Sequence, residues 1–219
     1  MSRILTICTL SIFFLSFCPL HAEETPPAEI VQAAKEGIAR FLNNRPVSSL
    51  QRFGFRNQDE VNSATLGEGF QIYTVPPQTL LSGQSFESFE SIAVPTNAWQ
   101  FLIRSGRGAK AFLRVDYING QWQAVSLGSS GLAVQMDSLL QTWPPSAAYR
   151  LKFIRIYQAK SDFVEISLPE KIIGTIPMTS ARVAMKMGRS QFDARDIHGS
   201  GKILQELPPI VKAGIGNSR

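Results

Sequence analysis

Apolar residues recur at helical spacing near the start of the chain. Ile30, Ala34, Ile38, Phe41 and Leu42 fall on one stripe, while Gln32, Lys35, Glu36 and Arg40 take the other sides. This predicts an amphipathic helix over residues 28–42 that must cover an apolar surface. Thr25 is placed to cap it, Pro26 and Pro27 suit its first turn, and Asn43-Asn44-Arg45-Pro46 ends it.

The surface it covers is predicted to be sheet. Residues 69–75 read as a strand ended by Pro76-Pro77, and residues 82–95 as a polar, Ser-rich connection, read first as a flexible linker and second as a candidate binding loop. Beyond it the pattern has period two: Trp99, Phe101 and Ile103 alternate with Gln100, Leu102 and Arg104. After a Gly-rich turn, Ala109, Ala111, Leu113, Val115 and Tyr117 alternate with Lys110, Phe112, Arg114 and Asp116. Asn119-Gly120 makes a second, tight turn, because both positions tolerate positive φ. That turn sets Tyr117 opposite Trp122, Asp116 opposite Gln123, Val115 opposite Ala124 and Leu113 opposite Ser126. Parity then constrains the first hairpin. Trp99, Phe101 and Ile103 share the Leu113 and Val115 face only if its loop holds an odd number of residues, most simply three.

Ser129 or Ser130 is placed to cap a second helix with Leu132, Met136, Leu139, Leu140 and Trp143 as its stripe, stopped by Pro144-Pro145. Strands are expected at 149–157, 163–168 and 172–178. Residues 181–187 fit strand or helix equally, and residues 207–219 read as a loose tail. Successive strands joined by tight turns must be antiparallel, so the expected class is α+β: antiparallel sheet with two main helices packed on it.

Residues 1–22 have a different character. Arg3, the apolar run from Ile4 to Phe17 and Ala22 form the three parts of a cleavable export signal, with no acidic residue before Glu23. The run is shorter than the roughly 20 residues of a comfortable membrane span. Cleavage after Ala22 leaves residues 23–219 as a single exported domain, periplasmic or secreted; the alternative is lipidation at Cys18. Both cysteines, Cys8 and Cys18, lie inside the signal, so the exported body has no disulfide, thiolate zinc site or cysteine nucleophile. Arg3 leaves with the leader, so 22 Lys and Arg become 21 against 17 Asp and Glu, a mild positive balance.

Chemistry is sparse. The body carries one histidine, His198, in a loop where Asp193 and Asp196 are the nearest candidates to share a metal; the spacing matches no ligand pattern, and no metal or cofactor is expected. Gly128-Ser129-Ser130-Gly131 is not a Gly-x-Ser-x-Gly elbow. No Ser-x-x-Lys occurs, and Gly201-Lys202 lacks the rest of a phosphate loop. No catalytic residue is assigned. The basic side chains are more suggestive: Arg104, Arg107, Lys110 and Arg114 gather around the first hairpin. With an exposed Phe112 and with Arg150, Lys152 and Arg155 nearby they form a candidate patch for an anionic envelope polymer or lipid. Export argues against nucleic acid.

Phe53-Gly54-Phe55, Asp59-Glu60-Val61, Ala64-Thr65-Leu66-Gly67 and Phe70-Gln71-Ile72-Tyr73-Thr74-Val75 together resemble a segment of exported bacterial proteins of unknown function, some of them similar to propeptide or inhibitor-like domains of secreted peptidases. The resemblance implies a non-enzymatic exported domain. The expected function is therefore binding, to an envelope protein or a secreted peptidase. A peptidase inhibitor or propeptide-like module is the first alternative and an envelope hydrolase the second.

Overall fold

A computed structural model describes residues 25–43, 46–106, 108–188 and 191–216. The export signal lies outside the described residues. In chain order the elements are α1 (Ala28–Leu42), α2 (Val47–Leu50), α3 (Gln58–Asn62), β1 (Thr65–Thr74), α4 (Pro77–Leu80), β2 (Val94–Ser105), β3 (Gly108–Ile118), β4 (Gln121–Gly128), α5 (Ser130–Thr142), β5 (Arg150–Ile156), β6 (Ser161–Leu168), β7 (Lys171–Pro177), α6 (Thr179–Ala184) and α7 (Ser200–Gly216). The class is α+β. The seven strands form one sheet in the order β4-β3-β2-β1-β5-β6-β7. Every neighbouring pair is antiparallel except β1 and β5, which run parallel through Ile72 beside Phe153 and Tyr73 beside Ile154.

The β2–β3 pairing sets Trp99 against Val115, Phe101 against Leu113 and Ile103 against Ala111, as parity requires. The means differ from the expectation. Ser105 pairs with Gly108 across a two-residue turn, and an extra residue on β3, Lys110, lies unpaired between Ala109 and Ala111. An even loop plus one bulge has the parity of an odd loop. At the second turn Asn119 and Gly120 have φ of 52° and 81°, and Tyr117 faces Trp122 with ring centroids 5.2 Å apart. A bulge at Val125 then shifts the register, so Leu113 meets Leu127 rather than Ser126.

Both faces of the sheet are covered. On one, α1 lies over β3 and β4 and buries Ile30, Ala34 and Leu42 with Trp99, Phe101, Leu113 and Val115. Its N-cap position is Pro27, with no side-chain bond from Thr25; the Pro27 carbonyl instead receives the amides of Ile30 and Val31. On the other face α5 packs Ala133, Met136, Leu139 and Leu140 against Leu102 and Phe112. Phe112, expected in the open, is therefore 2% exposed, with its ring edge-on to Phe70. A strand clad on both sides buries its even and odd positions alike.

The β5–β6–β7 half is clad on its α1-side face by α7. This corrects the reading of a tail over residues 207–216; residues 217–219 lie outside the described residues. Ile203, Leu204, Leu207 and Val211 are buried against Ile154, Ile156 and Phe163, so a helical stripe continues through Pro208 and Pro209. The cost of two interior prolines, each removing an amide donor, is offset by that burial. Residues 179–184 are helix, which settles the ambiguous stretch that follows β7. Among the described residues no helix is long and apolar enough to cross a membrane.

Candidate functional site

The described basic side chains around the first hairpin are each engaged by a carboxylate, on different elements, rather than left free. Arg104 bonds Glu68 through Nε (2.9 Å) and Asp137 through Nη1 (2.6 Å). Burial works against its charge, yet those hydrogen bonds hold the guanidinium pKa above its ordinary value. Lys110, at the bulge, bonds Glu60 at 2.7 Å and holds that carboxyl below its usual range, with the Arg56 amide assisting. Arg114 bonds Asp116 on its own strand at 2.7 Å and also meets Tyr157. Arg107 lies outside the described residues. Of the further cations, Arg155 pairs with Asp162 at 2.6 Å, and Lys152 pairs with Glu90 and sits over the Tyr73 ring. Nearby carboxylates therefore neutralise Arg104, Lys110, Arg114, Lys152 and Arg155, and the attraction of these five for an anionic polymer falls accordingly.

A second polar group forms on the α7-clad face. Glu165 occupies the middle of β6 between Val164 and Ile166 and is 2% exposed. Its Oε1 accepts the Phe89 amide (2.9 Å) and its Oε2 the Glu90 amide (2.8 Å). Burial pushes this carboxyl above the ordinary range, against hydrogen bonds from Ser200 and the two amides. Thr175, its cross-strand neighbour on β7, has Oγ1 2.8 Å from Oγ of Ser200, the first residue of α7. The Thr175 backbone also forms a two-way bridge with His198, from N to O at 2.8 Å and back at 2.9 Å.

His198 and Asp196 continue the row. Nε2 of His198 lies 3.2 Å from Oδ1 of Asp196, whose Oδ2 is bonded by Arg182 of α6. The Arg182 hydrogen bond, with that of His198, holds the Asp196 carboxyl below its usual range. Asp193 turns away and accepts the Arg195 amide at 2.9 Å, so the three residues weighed for a metal do not converge. Among the described residues no group of three His, Asp or Glu side chains is arranged to hold a metal ion. The Ser200 hydroxyl is engaged by Thr175 and Glu165 rather than by His198.

An open depression of about 540 Å³ lies where the last turn of α5 meets the segment after α6; it is lined by Ser138, Gln141, Thr142, Trp143 and Arg195. Trp143 donates its indole N–H to the Ala194 carbonyl at 2.7 Å. A guanidinium here complements the partial negative charge of a helix C-terminus, which accounts for Arg195 without a ligand.

Sequence reasoning overlooked Glu165, Asp137 and Arg182. The first had a legible signal: a carboxylate inside Phe163-Val164-Glu165-Ile166 needs donors once the strand is buried. The loop of residues 82–95 is likewise tied down rather than free, since Phe89 is fully buried with its ring centroid 5.6 Å from that of Phe163. Comparison of the chain with protein-family models, with curated proteins and with solved structures finds no match.

Proposed function

We propose that residues 1–22 direct export and that the remaining domain is a non-enzymatic binding protein of the cell envelope or the medium. The observation that carries the non-enzymatic part is the engagement of Ser200. The Asp196 and His198 pair is the acid–base couple in the row, and the nearest serine hydroxyl in sequence bonds Thr175 and Glu165 instead. Intramolecular pairing of Arg104, Lys110 and Arg114 favours a protein partner over an anionic polymer. Mass analysis of protein from its native host tests export: a product beginning at Glu23 supports it, and retained Met1 in the cytosol ends it. Capture of one reproducible partner from envelope extract by tagged residues 23–219 supports binding. Hydrolysis of a glycan or peptide that is lost in His198→Ala overturns it.

A peptidase inhibitor or propeptide-like module is the second reading. It is favoured by the exposed run at residues 81–85, braced just beyond by Phe89 and Glu165. A loop held in one shape loses little entropy on entering a cleft. Stoichiometric inhibition of a secreted peptidase, weakened by substitutions at Leu81 or Gln84, separates this reading from the first.

A further inference from the structure

The carboxylates that occupy the hairpin cations leave a different set of arginines unpaired. From Gly37 to Gln58 the chain has no Asp or Glu and carries Arg40, Arg52 and Arg56; Arg45 also falls here, outside the described residues. The three described arginines are exposed, and among the described residues none of them forms an ion pair. Arg56 gives its backbone amide to Glu60, whose other oxygen is held by Lys110. The partial negative charge at the end of α1 accounts for Arg40 alone. Packing along β4 brings the first two arginines to one place. Trp122 bonds Glu29 near the start of α1, Ala124 faces Gly37 further along that helix, and Gly128 borders the Phe53 ring. The last turn of α1, with Arg40, and the short turn Gln51–Phe53, with Arg52, therefore follow one another over the end of the strand. Gly54 then sits against the Lys110 carbonyl on β3, which sets Arg56 at the same end of the sheet.

Two of these side chains are stacked on aromatic rings. The Arg40 guanidinium lies 5.1 Å from the centre of the Phe41 ring and that of Arg52 4.6 Å from the centre of the Phe53 ring, and both phenylalanines are half-buried. Stacking fixes the plane of a guanidinium and leaves its N–H fork open at the edge, the geometry that takes two oxygens of one phosphate. Separate rings hold the two forks apart, which suits an array of anions better than one small anion. We propose that the end of the domain bearing Arg40, Arg52 and Arg56 docks on the phosphate headgroups of an anionic bilayer, with Phe41 and Phe53 at headgroup level. An acidic protein segment is the competing occupant; it has carboxylates for the forks but no need of apolar rings beside them. The proposal goes beyond the binding reading and takes from it only that an exported domain meets an envelope membrane.

Co-sedimentation with vesicles tests the docking surface, using the chain from Glu23, which contains every described element. Binding is expected to phosphatidylglycerol mixed with phosphatidylcholine and not to phosphatidylcholine alone, and it should weaken between about 0.05 M and about 0.5 M salt. An arginine at an anionic surface contributes about a fivefold gain in partition, so Arg40→Gln, Arg52→Gln and Arg56→Gln together should weaken binding on the order of 100-fold. Lys171→Gln, Lys202→Gln and Lys212→Gln remove the same charge from exposed positions on β7 and α7, and are expected to weaken it less than about threefold. No binding to the anionic vesicles at low salt overturns the proposal. So does an equal loss in the two triple variants, which would make net charge the whole cause. Arginine-dependent binding to poly-glutamate without binding to vesicles overturns it in favour of an acidic protein. Arg52→Gln alone, expected to cost about fivefold, decides if the arginine triple variant does not fold. A cytosolic location would end the export reading and leave the vesicle result standing.

Discussion

Gly37 on α1 and Ala124 on β4 stand so close that a Cβ placed on Gly37 would lie 2.3 Å from the Cβ of Ala124. Both atoms are fixed to backbone, so neither yields by changing rotamer. Gly37→Ala brings about 1 kcal/mol of helix propensity and incurs about 1–3 kcal/mol of overpacking, with the severity of this clash placing it toward the upper end. A net loss of about 1–2 kcal/mol is expected in urea unfolding. Adding Ala124→Gly should recover most of it, whereas a double variant that recovers nothing would place the contact elsewhere.

Asp137 holds the far end of the β2–β3 hairpin to α5 through Arg104, and its other oxygen lies 3.4 Å from the Ala109 amide. Asp137→Ala strands a guanidinium and an amide at once. Arg104 keeps Glu68 and some water, which reduces the penalty from that of a sealed pair to about 1–3 kcal/mol. Glu68→Gln, at an exposed position, is expected to cost less than about 1 kcal/mol. Equal losses in the two variants, measured by denaturant midpoint, would show that burial does not rank these contacts.

Leu207 tests whether the end of the chain is body or appendage. Its side chain is buried with Leu204 and Val211. Leu207→Ala is expected to lose about 2–5 kcal/mol, and a chain ended at residue 206 should fail to unfold cooperatively. A truncated form with an unchanged thermal midpoint would return these residues to the status of a tail.

Acid acts on this protein with two signs. Asp196 titrates in the folded state below its ordinary value because Arg182 bonds it. The stability it contributes is present at neutral pH; it begins to fall as pH drops through the unfolded carboxyl value near about 3.9 and is gone below the depressed folded value. Glu165 is displaced the other way, so its contribution strengthens as pH falls through its raised folded value. Urea midpoints measured from about pH 2 to about pH 7 should therefore show a shallower acid decline in Asp196→Asn than in the natural protein. An unchanged slope would mean that Arg182 does not hold this carboxyl.

Local pattern carried much of this fold. Asn119-Gly120 marked one hairpin because both positions take positive φ, and the alternation of Trp99, Phe101 and Ile103 marked their shared face, while the three-residue loop inferred from it proved to be a two-residue turn with a bulge. What remained hidden was non-local. Phe112 looks exposed beside Arg114 until α5 is laid over it, and nothing near residue 112 announces that helix. Arg104 finds Glu68 and Asp137 at separations of 36 and 33 residues, so a count of cations along one hairpin could not foresee their neutralisation. The helix over residues 207–216 stayed hidden because the partners of Leu207 and Val211, namely Ile154, Ile156 and Phe163, lie far away in sequence.

The two-pair parallel contact between β1 and β5 has a mechanical meaning. The N-terminal helix belongs to the four-strand side and the C-terminal helix to the three-strand side, so a load applied at the two ends is transmitted across that narrow join. Across that join the halves are tied by the Thr74 hydroxyl on the Arg155 carbonyl, by the Glu165 bonds to Phe89 and Glu90, and by the apolar core that Leu102 and Phe112 share with Ile166 and Ile176.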